Sequence, residues 1–156
     1  MIDQKFSPLL VTPDTNVLVS GGTISVGAPS QIINAWRDGS IDFALSPPIL
    51  DELADVLSRP YFRKRVKWTD KTISSYIKEL EKGSYIFPGT TLVSVTSDPD
   101  DNILFATAFE AEANYIVSGD EKHVVPIGEF EGIKVLSPKE FVSKVKAAHE
   151  SGFTTG

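Results

Sequence analysis

Short apolar runs alternate with stretches of helical periodicity along most of this chain. Leu9-Leu10-Val11 is a brief apolar run bounded by Pro13 and Asp14, the form of a buried strand, and Val17 to Val19 then leads to a break at Gly21-Gly22. Pro29 and Ser30 open a helix in which Ile32, Ile33 and Trp36 recur at helical spacing. Asp38-Gly39 closes it before the strand-like Phe43-Ala44-Leu45. Ser46 followed by Pro47 and Pro48 has the form of a helix start, with a serine available to cap free amides and prolines where no internal hydrogen bond is lost; this helix is expected to reach about Ser58. A second helical pair follows, basic in its first part and carrying Ile73, Tyr76, Ile77 and Leu80 at i, i+3, i+4, i+7 in its second, with Gly83 as its end.

The C-terminal half repeats the alternation. Leu92, Val93 and Val95 predict a strand, Ile103 to Ala113 a helix, Tyr115-Ile116-Val117 and Ile133-Lys134-Val135 two more strands, and Phe141 to Ala148 a final helix. That last helix has Ser137 as cap, Pro138 at its first position and Glu140 as the partner of a capping box. Strands alternating with helices predict an α/β fold whose central, mostly parallel sheet of about four or five strands is covered on both faces. Ligands of such sheets gather at the carboxyl ends of the strands.

The 156 residues, 41% of them hydrophobic, suffice for one sizeable core. A single domain over 1–148 is expected, with 149–156 a disordered tail. With no cysteine in the chain, thiolate metal sites, disulfides and cysteine nucleophiles are excluded, so any metal must be held by oxygen or imidazole. The start of the chain lacks the form of a signal peptide and no run is long enough to span a bilayer, so the expectation is a cytoplasmic protein without a membrane partner. A net charge of −6 argues against a domain that coats nucleic acid by broad electrostatics, but not against a nuclease whose carboxylates are gathered around cations.

Four acids stand out. Asp14 follows the first strand directly, where a turn or cap role competes with a functional one. Glu52 lies on the helix of Ile49, Leu50, Leu53, Ala54, Val56 and Leu57, at the edge of its apolar arc, whereas Asp51 and Asp55 point further towards solvent. A boundary glutamate can simply cover apolar surface with its stem and reach water with its head. In Asp98-Pro99-Asp100-Asp101-Asn102, capping accounts for Asp98 as N-cap and Asp101 as the N3 acid, yet three acids exceed what a cap requires, and a cation would relieve their repulsion. Asp120 ends Tyr115-Ile116-Val117-Ser118-Gly119-Asp120, again just past an apolar strand. The conjunction of four acids at strand ends and facing helix starts is what points to a site.

Asp14-Thr15-Asn16, Glu52 within Leu50-Asp51-Glu52-Leu53, Asp101 opening Asp101-Asn102-Ile103-Leu104-Phe105-Ala106-Thr107-Ala108, and Ser118-Gly119-Asp120 resemble the four ordered acidic motifs of PIN domains. The resemblance runs from about Leu9 to Val142. Ser46-Pro47, Arg59-Pro60 and the Gly128-Glu129-Phe130 loop resemble the VapC-like toxin branch of that family. Phe105 departs from the pattern, since a small alanine is common there. The resemblance implies a three-layer α/β/α sandwich, Mg²⁺ or Mn²⁺ in an acidic cleft, and cleavage of RNA phosphodiesters, with a small antitoxin protein and a second copy of the chain as partners. It implies Asp14, Glu52, Asp101 and Asp120 as the catalytic and metal-binding residues, with Glu52 as ligand or as orienter of the attacking water.

Asn16 and Ser118 are expected to support the acids by hydrogen bonds. Arg59, Arg63, Lys64, Arg65 and Lys67 form the one dense basic stretch, either holding RNA phosphates, with Arg63, Lys64 and Arg65 as the choice, or serving as a solvated helix face. A phosphotransfer enzyme of the haloacid-dehalogenase type would need a second aspartate where Asn16 stands, and a receiver domain would need paired early acids that this chain lacks. The remaining alternative is a PIN fold that binds RNA or protein with little catalysis.

Overall fold

The computed structural model describes residues 8–155. Thirteen elements follow one another: β1 (Leu9–Pro13), α1 (Thr15–Thr23), α2 (Ala28–Arg37), β2 (Ile41–Leu45), α3 (Pro47–Ser58), α4 (Pro60–Val66), α5 (Asp70–Gly83), β3 (Tyr85–Ile86), α6 (Pro99–Ala111), β4 (Tyr115–Val117), β5 (Glu129–Phe130), β6 (Ile133–Leu136) and α7 (Pro138–Thr155). The sheet has six strands in the order β3-β2-β1-β4-β6-β5. All neighbours are parallel except β5 and β6, which pair antiparallel through Glu129 and Lys134. Helices cover both faces: α6 packs across β1, β2 and β4, while α2 lies on β2 and against α7, which packs on β6. This is the three-layer α/β/α sandwich expected from the alternation.

β1 sits at the centre because it is apolar enough to be buried on both faces, Val11 being fully enclosed, and it pairs in register with both β2 (Val11 with Phe43) and β4 (Pro13 with Val117). The chain runs outward from β1 to β2 and β3 on one side, then returns to build β4, β6 and β5 on the other. The crevice outside the carboxyl ends of β1 and β4 is therefore the switch point of the sheet, where such folds place their ligands.

Several details differ from the sequence reading. Gly21 and Gly22 do not break the chain after Val19; they lie inside α1, because a Cβ on Gly21 would meet Ile33 at 2.4 Å and one on Gly22 would meet the Tyr76 ring at 2.5 Å. Their role is to let α2 and α5 approach α1. Ser46 precedes α3 but accepts no capping bond from its amides; its buried hydroxyl instead accepts from Thr107 Oγ1 at 2.8 Å, joining α3 to α6.

The strand expected at Leu92, Val93 and Val95 is absent, since its flanking amides are claimed elsewhere. Gly89, Thr90 and Thr91 donate their N–H groups to the Glu110 carboxylate at 2.7–2.9 Å, and Val95 and Thr96 donate theirs to Asn102 Oδ1 at 3.0 Å. Two-residue strands appear instead at Tyr85–Ile86, and at Glu129–Phe130 where a loop was expected. The segment expected to be a tail from His149 continues as α7 to Thr155, in keeping with the helix-forming Ala147, Ala148 and Glu150; Gly156 lies outside the described residues.

A candidate acidic metal centre at the carboxyl edge of the sheet

Asp14 is the first residue beyond β1 and the N-cap of α1. Its N–H extends the sheet by donating to the Val117 carbonyl at 2.8 Å. Its carboxylate does more than cap. One oxygen accepts the Thr15 N–H at 2.8 Å, and the other accepts the Ser118 hydroxyl at 2.7 Å and, more weakly, Asn16 Nδ2 at 3.4 Å. Burial raises the Asp14 pKa against these donors, and the nearby Asp120 charge raises it further.

Ser118 and Asn16 both hydrogen-bond the Asp14 carboxylate. The fully buried Ser118 hydroxyl also accepts the Asp120 N–H at 3.0 Å, so one side chain fixes both aspartates. Asn16 Oδ1 accepts the Gly119 N–H at 2.8 Å, and a Cβ at position 119 would stand 3.1 Å from that oxygen, so the Asn16 side chain would have to shift by a few tenths of an ångström.

Asp120 lies in a turn that its own side chain shapes. Oδ1 accepts the His123 N–H at 2.9 Å and the Lys122 N–H at 3.1 Å, with His123 Nδ1 3.3 Å away. These backbone donors, led by His123, lower its pKa despite partial desolvation.

Asp98 caps α6 by accepting the Asp100 N–H at 2.9 Å, so the capping account holds for that residue. Asp101 is different. It accepts no hydrogen bond among the described residues, and its pKa is raised to about 6, first by desolvation and then by repulsion from Asp98, Asp14 and Asp120, with His123 opposing. Its fate is left to a partner of opposite charge.

Glu52 is half-buried on α3, near the buried Thr15 side chain. Desolvation raises its pKa, followed by repulsion from Asp100 and Asp14, while Arg59 acts the other way. The Asp14 charge is thus felt at both Glu52 and Asp101, and that of Asp120 at both Asp14 and Asp101. Asp101 and Asp120 line a cleft of about 510 Å³ together with Asp98, Thr96, Lys122 and His123.

The sequence reading assigned no role to His123, Lys122 or Thr15. His123 and Lys122 follow a turn whose geometry rests on Asp120, and only the distance from Asp120 along that turn could have indicated them. Thr15 stands in the first acidic motif, but nothing in the pattern showed that it faces Glu52.

The donor set is entirely hard oxygen, with three pKa values raised in part by neighbouring acids, which suits Mg²⁺ or Mn²⁺. Among the described residues no three acids or histidines stand close enough to share one ion. An open set of this kind is compatible with a cation that keeps several waters and takes only one or two carboxylates directly, as Mg²⁺ commonly does.

The basic stretch divides. Arg63 is committed to structure, pairing with Asp70 and lying within reach of the Trp68 carbonyl at 3.5 Å, whereas Lys64 and Arg65 are exposed on α4. Arg59 pairs with Asp55 at 2.8 Å at the end of α3.

A doubly covered, mostly parallel sheet with acids gathered beyond its two central strands defines an α/β protein built to present carboxylates at a topological switch point. The chain belongs to the PIN domain family: the PIN domain model matches residues 11–122, a span that holds all four acids. No curated protein matches the chain. Among solved structures, the crystal structure of VapBC2 from Rickettsia felis bound to a DNA fragment from their promoter is similar, with a TM-score of 0.53 and 12% identity over 83% of this chain and 98% of that one. At that identity the likeness concerns the fold.

Proposed function

We propose that this protein is a Mg²⁺- or Mn²⁺-dependent ribonuclease that hydrolyses RNA phosphodiester bonds at the acidic edge, as the toxin of a toxin–antitoxin pair. The observation that carries the reading is Asp101, a carboxylate without a hydrogen-bond donor among the described residues and with its pKa raised to about 6 beside Asp14 and Asp120. Asp14, Asp101 and Asp120 would hold the cation, directly or through water. When bound, it would acidify a water molecule and offset the charge that builds on the phosphate.

The chain's own residues have separable tasks. Ser118 and Asn16 lock Asp14 and the Gly119 turn in place. Glu52, partly withdrawn from water and raised in pKa, orients the attacking water and accepts its proton. Lys64 and Arg65 offer exposed charge for RNA phosphates. The resemblance to VapC-like proteins supports a small antitoxin and a second copy as partners. No helix among the described residues is long and apolar enough to cross a membrane.

The test is cleavage of a labelled single-stranded RNA by the purified protein in Mg²⁺, Mn²⁺ or EDTA, beside Asp14→Asn and Asp101→Asn. Metal-dependent cutting lost in both variants is expected. Absence of cutting over a broad set of RNAs would leave a PIN fold that binds without catalysis, and cutting retained by both variants would indicate a contaminating nuclease.

A further inference from the structure

α4 concentrates positive charge in an acidic protein. From Arg59 to Lys67 there are five cations and no acid, Arg59 and Arg63 pairing with Asp55 and Asp70 outside the stretch and Lys64, Arg65 and Lys67 standing exposed, in a chain whose net charge is −6. None of the seven residues of the helix is buried. On this basic surface stands an aromatic ring that the core does not use: Tyr61 is 60% exposed, although a tyrosine usually hides its ring and shows only its hydroxyl.

The ring is held in place. Arg65, one turn further on, places its guanidinium 5.1 Å from the ring centroid and donates from Nη1 to the Tyr61 hydroxyl at 2.6 Å. Phe62 meets the ring edge-on, with centroids 5.3 Å apart. An aromatic side chain steadied by a cation and a second ring presents a flat apolar surface at little further cost in side-chain entropy.

The placement relates this surface to the acids. Arg59, at the junction of α3 and α4, is seven residues beyond Glu52, two turns along the same side of α3, about 10 Å by helical rise. Its charge is felt at Glu52. Tyr61 follows two residues later, so a chain of phosphates leaving the acidic edge past Arg59 would meet the ring and then Lys64.

The geometry points to Tyr61, backed by Arg65 and flanked by Lys64, as a stacking platform for one unpaired nucleobase of a single-stranded RNA that passes from the acidic edge along α4. The choice of RNA as occupant rests on the function proposed above. A stacked base must be unpaired, so the platform selects single strands over duplex, and stacking tolerates any base because every base has a π-face. The charged flanks take phosphates, which makes binding salt-dependent.

The experiment uses the full chain in EDTA, so that cutting is silent, and follows the fluorescence of single-stranded RNA containing 2-aminopurine. Tyr61→Ala is expected to weaken single-strand binding about tenfold and to abolish the fluorescence quench, as loss of one base stack implies. Tyr61→Trp should restore both, and affinity for a duplex of the same sequence should not change. Unaltered single-strand affinity in Tyr61→Ala, or no binding of single-stranded RNA at all, overturns the platform. Equal competition by poly-glutamate, indifferent to position 61, also overturns it and gives α4 to an acidic protein partner. Cleavage is scored separately in Mn²⁺: Tyr61-dependent binding without cutting sinks the nuclease reading and keeps the platform, while cutting with an unchanged KM in Tyr61→Ala does the reverse.

Discussion

Ser118 touches both aspartates at once, donating to Asp14 and accepting from the Asp120 amide. Ser118→Ala should therefore act through the two acids more than through the core, since the lost volume is one oxygen. Groups that orient ligands in this way typically cost about 10–100-fold in metal affinity when removed. Titration calorimetry with Mn²⁺ should find a loss of that order, with a melting temperature within a few degrees of the parent.

Asp101 gives a pH signature of known sign. Its pKa is raised from 3.8 to about 6 in the fold, so between those values the folded chain keeps a proton that the unfolded chain has lost. Stability consequently falls as pH rises through that window, and the deficit persists above it. In EDTA, Asp101→Asn should melt higher than the parent at pH 7.5, by about 2–4 °C once solvent screening of this incompletely buried carboxylate is allowed for, and the gain should vanish towards pH 4. A lower melting temperature at pH 7.5 would refute the repulsion argument.

The helices expected from periodicity are those whose apolar residues face the core. α5 keeps its i, i+3, i+7 set of Ile73, Tyr76 and Leu80 buried. It packs on α3 and reaches α1 through one side chain: Tyr76 donates its hydroxyl to the Leu18 carbonyl at 2.7 Å, and its ring fills the space that a Cβ on Gly22 would occupy. Gly22→Ala should destabilise by about 1–3 kcal/mol through this overpacking, although alanine is the better helix former. Denaturant melts would show it, and a gain in stability would mean that α5 can shift freely.

The glycine pair could not be assigned from sequence because a tight helix contact and a chain break use the same residue. The missing strand at Leu92 to Val95 has a different cause. Its alternating apolar residues are real, and Val93 and Val95 do pack against the core, but Glu110 and Asn102 take the amides on either side, and Leu92 is left 98% exposed. Distant side chains decided the backbone there. The four acids could be singled out as candidates because strand ends, a helix start and the margin of an apolar arc are local features; that Asp14 lies against Ser118 and the Asp120 turn depends on the pairing of β1 with β4, which no local pattern carries.

For the molecule as a whole, gathering carboxylates at one edge costs stability that a bound cation would return. Mn²⁺ should accordingly raise the melting temperature of the parent at pH 7.5, and by less at pH 5.5, where a proton competes at Asp101. The Asp14→Asn, Asp101→Asn double variant should show neither shift. An equal rise in parent and double variant would locate the ion elsewhere.

The seam between β1 and β4 joins Asp14 to Ser118, 104 residues apart in the chain. A polypeptide emerging from the ribosome therefore completes β1 early but has no Ser118, Gly119 turn or Asp120 to set against it until most of the chain has been made. If the acidic edge cuts RNA, a partly synthesised chain is harmless to the transcript and the ribosome producing it. The edge is complete only once Asp120 has been made, when most of the chain is already outside or inside the exit tunnel.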